Sequence, residues 1–95
     1  VEAAKWYRPA ADHGFVQAQM ALAAVLHAGR GIDRNISEAY MWYRIAADLG
    51  DTAAISKRDD VGDELSPAEK TTADAEAEAW MSRFEAGELH AGHTH

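Results

Sequence analysis

Three imidazoles close the chain as HAGHTH: His90, His93 and His95 stand at the short spacing that zinc, nickel or copper ligands adopt. The tail that carries them contains Gly87 and Gly92 and has neither an apolar stripe nor groups that would hold the rings in one orientation. Residues 87–95 therefore read as a flexible tail, with a metal-binding module built on these histidines as the alternative function. The densest oxygen-donor group is Asp59, Asp60, Asp63 and Glu64, hard ligands suited to calcium. It lacks the loop spacing of an EF-hand, falls inside a helical pattern and reads as a solvated acidic face. Ser37, Ser56, Ser66 and Ser82 supply hydroxyls, but none sits in a pattern with a base that would activate it. The Gly29-Arg30-Gly31 turn lacks the Lys-Ser/Thr and the preceding strand of a phosphate-cradling loop. No catalytic residue, metal site or cofactor is assigned, and the chain is read as non-enzymatic.

Composition narrows the partners. The 95 residues carry a net charge of −7 with the basic residues scattered, which disfavours a phosphate backbone and excludes nucleic acid. No apolar run approaches the roughly 20 residues that cross a bilayer. Cysteine is absent, so neither disulfides nor thiolate chemistry enter, and the compartment stays open. Apolar residues make up 47% of the chain, but 21 of the 95 are alanine and only 8% are aromatic. Many small residues around few large ones favour closely packed helices.

The organising signal is an internal repeat. Glu2–Gly14 (EAAKWYRPAADHG) overlies Glu38–Gly50 (EAYMWYRIAADLG) with nine of thirteen residues identical. Ala39, Trp42, Tyr43, Ala46 and Ala47 follow i, i+3, i+4, i+7, i+8, the stripe of an amphipathic helix, and Ala3, Trp6, Tyr7, Ala10 and Ala11 repeat it. A weaker copy follows at Ala77, Trp80, Met81 and Phe84, with Glu85 in place of the last small residue. A period of 36 to 38 residues holding two helices each is the mark of a solenoid, whose units bury their faces only by stacking. The aromatics Trp6, Tyr7, Trp42, Tyr43 and Trp80, with Leu22, Ala39, Ala46 and Ala47, are the expected core.

Helix boundaries are written in cap chemistry. Asn35-Ile36-Ser37-Glu38 and Ser66-Pro67-Ala68-Glu69 read as capping boxes, the second with proline at the first helical position. Asp51 should cap a helix between them, and Gly14, Gly50 and Gly87 sit where left-handed C-terminal residues belong. Five helices are predicted: Glu2–His13, Phe15–Ala28, Ile36–Leu49, Thr52–Leu65 and Pro67–Ala86. Pro9 is the misfit, implying a kink or a first helix that effectively starts near Trp6. The helical pattern is already running at Val1, as expected of a segment from a longer array.

Ala18–Gly50, AQMALAAVLHAGRGIDRNISEAYMWYRIAADLG, resembles the Sel-one-like repeats, relatives of the tetratricopeptide repeats, through Ala18, Leu22, Gly29, Gly31, Ile32, Ala39, Trp42, Tyr43, Ala46, Ala47 and Gly50. Ala23, Leu26 and Asn35 stand where that family usually has glycine, an aromatic and aspartate. The resemblance implies an all-α solenoid of antiparallel helix pairs in a right-handed superhelix, used to hold proteins or peptides together. The divisions are then residues 1–14, the second helix of a truncated repeat; 15–50, a complete repeat; and 51–86, a degenerate capping repeat. Within that frame the first helix of each pair lines the concave surface. Gln17, Met20, Ala24 and His27, with Ser56, Asp60 and Asp63 one repeat later, are the expected contacts for a protein or peptide partner. The front ridge of Ala4, Lys5, Pro9 and His13 is a second candidate surface, through which the chain could self-associate.

Overall fold

A computed structural model describes residues 2–29 and 33–87. It contains five helices, α1 (Glu2–Asp12), α2 (Val16–Ala28), α3 (Ile36–Asp48), α4 (Thr52–Gly62) and α5 (Pro67–Glu85), and no strand among the described residues. The all-α helical-repeat reading holds, and α3, α4 and α5 start where Asn35, Asp51 and Ser66 placed them. Asp51 accepts from the backbone N–H groups of Ala53 and Ala54 at the start of α4. Ser66 Oγ accepts from Glu69 N, and Glu69 Oε1 accepts from Ser66 N, closing a full capping box on α5. At α3 only half the box forms. Asn35 Oδ1 accepts from Glu38 N (2.9 Å), but the Glu38 carboxylate turns away to Arg8 and Trp42. A charge-assisted bond to a guanidinium outcompetes one more bond to a backbone N–H.

Two further expectations change. α1 runs unbroken through Pro9, so the helix does not start at Trp6. α4 ends at Gly62 rather than Leu65, and Leu65 turns back to pack on the core.

The core forms around α3. Helices α2, α4 and α5 pack directly on it, and α1 packs on α2. Ala39, Tyr40, Trp42, Tyr43, Ile45 and Ala46 of α3 are all buried, more than one stripe of a surface helix could supply. Helix α5 turns Ala73, Ala77 and Trp80 inward, an i, i+4, i+7 ridge whose two alanines permit close approach to α3. Trp80 meets Trp42 edge-on (ring centroids 5.8 Å, 74°) and stacks on Phe84 (4.8 Å, 13°). Phe84 in turn reaches the turn between α1 and α2, where Gly14 (φ +90°) leaves room for its ring. Helix α5 therefore touches the α1–α2 turn, beyond the nearest-neighbour contacts of a simple stack.

Of the residues expected in the core, Leu22, Ala39, Trp42, Tyr43, Ala46 and Trp80 are buried, and Tyr7 and Ala47 are half-buried. Trp6 is the correction. It is 75% exposed, whereas Trp42 and Trp80 at the equivalent positions are 3% and 4% exposed. The stripe residue type repeats, but among the described residues no helix lies over this side of α1 as others lie over the same side of α3.

Candidate functional site: charged seam and open surfaces

Residues shared between the repeats do a job that the sequence pattern alone did not reveal. Arg8 Nη1 and Nη2 grip both oxygens of Glu38 (2.6 and 3.3 Å), a bidentate pair thirty residues apart. Arg44, its equivalent one repeat on, reaches Asp74 (2.9 Å), again thirty residues ahead, and also Glu78 (3.2 Å) and Asp48 (3.5 Å). The arginine of each Trp-Tyr-Arg motif thus bridges to the second helix of the following unit. In the weaker copy at Trp80, Ser82 takes this place. Hydrogen bonding to Glu38 raises the Arg8 guanidinium above its ordinary value. For Arg44, burial pulls downward, but bonds to Asp74 and Glu78 outweigh it and the net shift is upward. Both stay charged at any pH the fold survives.

Tyr40 completes the α3–α5 seam, its hydroxyl donating to Asp74 Oδ1 (2.8 Å). Burial first, and the Asp74 bond second, push this phenol up to about 12 from 10.0. The fold therefore holds the neutral phenol more tightly than the unfolded chain does. That contribution is whole below pH 10.0 and is lost as pH rises toward about 12. Thermal melts across this range should show stability falling as phenolate absorbance grows. Tyr40→Phe should flatten the decline but not abolish it, because burial raises Tyr43 as well. An unchanged alkaline slope in Tyr40→Phe would contradict this account.

Open clefts flank the same seam. One of about 620 Å³ lies between the N-terminal halves of α3 and α5, lined by Asn35, Glu38, Met41, Glu69, Ala73 and Glu76 among others. A second of about 330 Å³ lies between α1, α3 and α5 and is lined by Trp42, Trp80, Arg8 and Arg83, together with Glu38, Met41 and Glu76 again. Among the described residues the sealed Trp80 indole N–H finds no acceptor and the sealed Gln19 Oε1 finds no donor, although Gln19 Nε2 donates to the Ala11 carbonyl (3.1 Å). Each such orphan costs on the order of 1–3 kcal/mol.

The residues expected to meet a partner lie elsewhere, on α2 and α4. Gln17 and Ala24 are exposed, Met20 and His27 half-buried, and Ser56, Asp60 and Asp63 exposed. His27 is already engaged: its Nε2 lies 2.6 Å from Glu64 Oε2, and Arg34 joins the same carboxylate (3.3 Å) while donating to the His27 carbonyl (2.8 Å). This triad ties the end of α2 to the end of α4. It also takes Glu64 out of the acidic group, and Asp59 pairs with Arg58 (2.9 Å). Among the described residues no three histidine, aspartate or glutamate side chains converge as a metal site would require. His90, His93 and His95 lie outside the described residues, as do Arg30, Gly31 and Ile32 of the glycine loop. His13 Nδ1–H donates to the Pro9 carbonyl (2.7 Å) at the close of α1.

Stacked helices joined by a recurring Trp-Tyr-Arg seam, with shallow clefts open to solvent, define an α-helical repeat protein. The sequence pattern of the Sel1 repeat family matches residues 1–15 and 16–51, over half the chain, and the chain belongs to that family. Sel1 repeats generally mediate protein–protein interaction. The chitin synthase regulator SKT5 of Saccharomyces cerevisiae is 41% identical over 56 residues, 59% of this chain but 8% of that protein. The similarity thus covers a small part of that relative. No solved structure matches the chain. No described helix is long and apolar enough to cross a membrane.

Proposed function

We propose that the chain is a non-enzymatic scaffold that holds a protein or peptide partner against the outward ridges of α2 and α4. Burial is the observation that carries this reading. The large apolar side chains of α2 and α3 are spent on the core, while Gln17, Ala24, Ser56, Asp60 and Asp63 stay exposed and Met20 remains partly open. A flexible thioether beside amide and carboxylate groups adapts to a partner surface more readily than it encloses a small metabolite. The ionisable groups at the centre of the fold are committed to bridges between helices. Affinity capture should retain partners on the wild-type chain and lose them with Met20→Glu and with Asp60→Lys, both still helical by circular dichroism. Retention of the same partners by both variants would remove this surface.

Self-association through the α1 side is a second proposal, supported by a separate observation. Among the described residues Trp6 (75% exposed), within α1, and Phe15 (64%), at the start of α2, are the most exposed large apolar side chains. Sedimentation should show dimers at high concentration that Trp6→Glu shifts to monomer. A wild-type chain that stays monomeric throughout would end this proposal.

A further inference from the structure

We propose that the seam between α3 and α5 is a docking groove for an extended segment of a partner protein that carries a lysine or arginine. The two clefts of about 620 and 330 Å³ adjoin at Glu38, Met41 and Glu76, which line both, and a segment lying along α3 would cross from one to the other. The groove floor is apolar and adaptable, with Met41 and Ala73 at one end and Trp42 and Trp80 at the other.

Charge selects the occupant. Arg8 is spent on Glu38, and Glu69 is spent on its own helix cap, so neither is available to a ligand. Glu76, common to both halves, is exposed and its carboxylate has no ion-pair or hydrogen-bond partner among the described residues, while at the far end Asp12 and Arg83 contribute one charge of each sign. Carboxylates outnumber guanidinium groups along the lining, and the chain as a whole carries −7. A cationic side chain placed over Met41 would meet the free Glu76 carboxylate, whereas an acidic one would be repelled.

Backbone chemistry selects the conformation. Trp80 is 4% exposed and contributes to the lining of this end, and its indole N–H, sealed from solvent, lacks an acceptor among the described residues. The carbonyls of a docking helix are consumed by its own hydrogen bonds. An extended chain keeps its carbonyls free and could offer one to this donor as the rim side chains part. The groove uses no residue of the α2–α4 surface and stands whether or not that surface binds anything.

The test is an array of nine-residue peptides with randomised apolar flanks and lysine, alanine or glutamate at the centre, read by binding and by the indole Nε1–H resonances of the intact chain. Lysine-centred peptides should bind best, with glutamate-centred ones about tenfold weaker or worse, and the best binder should move the Trp80 indole signal. Glu76→Lys should weaken that binder at least about tenfold. Glu85→Lys, outside the groove, and Met20→Glu, on the α2–α4 surface, should leave it intact. The proposal falls if no lysine-centred peptide binds, if the central residue makes no difference, or if the Trp80 signal stays still. It falls equally if Glu76→Lys has no effect, or if Met20→Glu abolishes binding, which would move the site to α2 and α4.

Discussion

Trp42→Ala is expected to cost about 3–5 kcal/mol of folding stability, while Trp6→Ala, the same change at the equivalent place one repeat earlier, should cost under about 1 kcal/mol. The residues share a motif and differ in surroundings. Trp42 is 3% exposed, meets Trp80 edge-on and donates its indole N–H to Glu38 (3.2 Å), whereas Trp6 is 75% exposed. Deleting Trp42 would leave a void at the α3–α5 contact, strip a hydrogen bond from the carboxylate that also holds Arg8, and remove one side of the aromatic pair. A domain of this size has only about 5–15 kcal/mol to lose, and each kcal/mol moves its melting temperature by about 4–8 °C. The large variant should therefore melt more than about ten degrees lower, and the small one within a few. Urea unfolding monitored by circular dichroism would show this as separated midpoints with similar slopes. Near-equal losses would mean that the seam is not what holds the helices together.

Gly14→Ala should cost about 2–4 kcal/mol, and Gly50→Ala about half of that. Both glycines follow a helix at positive φ, +90° and +112°, a region in which a side chain is strained. The difference is what lies opposite. A Cβ on Gly14 would sit 2.5 Å from Phe84 Cε1, while one on Gly50 would meet nothing within 4 Å. Alanine at position 50 suffers only backbone strain. At position 14 it also drives the Phe84 ring off Trp80, against which it stacks at 4.8 Å. Phe84→Leu should accordingly cost less in the Gly14→Ala background than in the wild type, a coupling of about 0.5–3 kcal/mol between residues at opposite ends of the chain. Strict additivity would show that Phe84 does not bear on this turn.

How much of this was legible beforehand depends on how local each feature is. Ser66 and Glu69, or Asp51 ahead of Ala53 and Ala54, declare themselves within four residues, so the helix starts could be read directly. The Trp42–Trp80 contact could be anticipated because both positions recur in the repeat. Exposure of Trp6 could not, because burial belongs to a side chain and its neighbours jointly, and a motif names only one of them. The arginine bridges were hidden for a related reason. Arg8 and Arg44 sit in plain view in the aligned segments, but their acids, Glu38 and Asp74, lie thirty residues ahead, an offset that differs from the repeat shift, so overlaying the repeats does not pair them. Two charged positions recurring at a constant offset a few residues shorter than the period would have been the signal. The groove was missed because sequence places ridges on single helices, whereas a cleft exists only once two helices settle at a particular distance. The α2 and α4 ridges could be named from helical phase, but not the α3–α5 seam.

The touch of Phe84 on Gly14 also limits how this molecule can lengthen over evolution. An open stack grows by duplicating a unit anywhere along its axis, each newcomer meeting only the units above and below. Here a unit spliced in after Gly50 would carry α5 away from the first turn and leave the Phe84 ring without its seat. Growth in the middle is thereby closed off, and an added unit would have to enter outside the span that this contact closes, as on the far side of α1, where Trp6 faces outward.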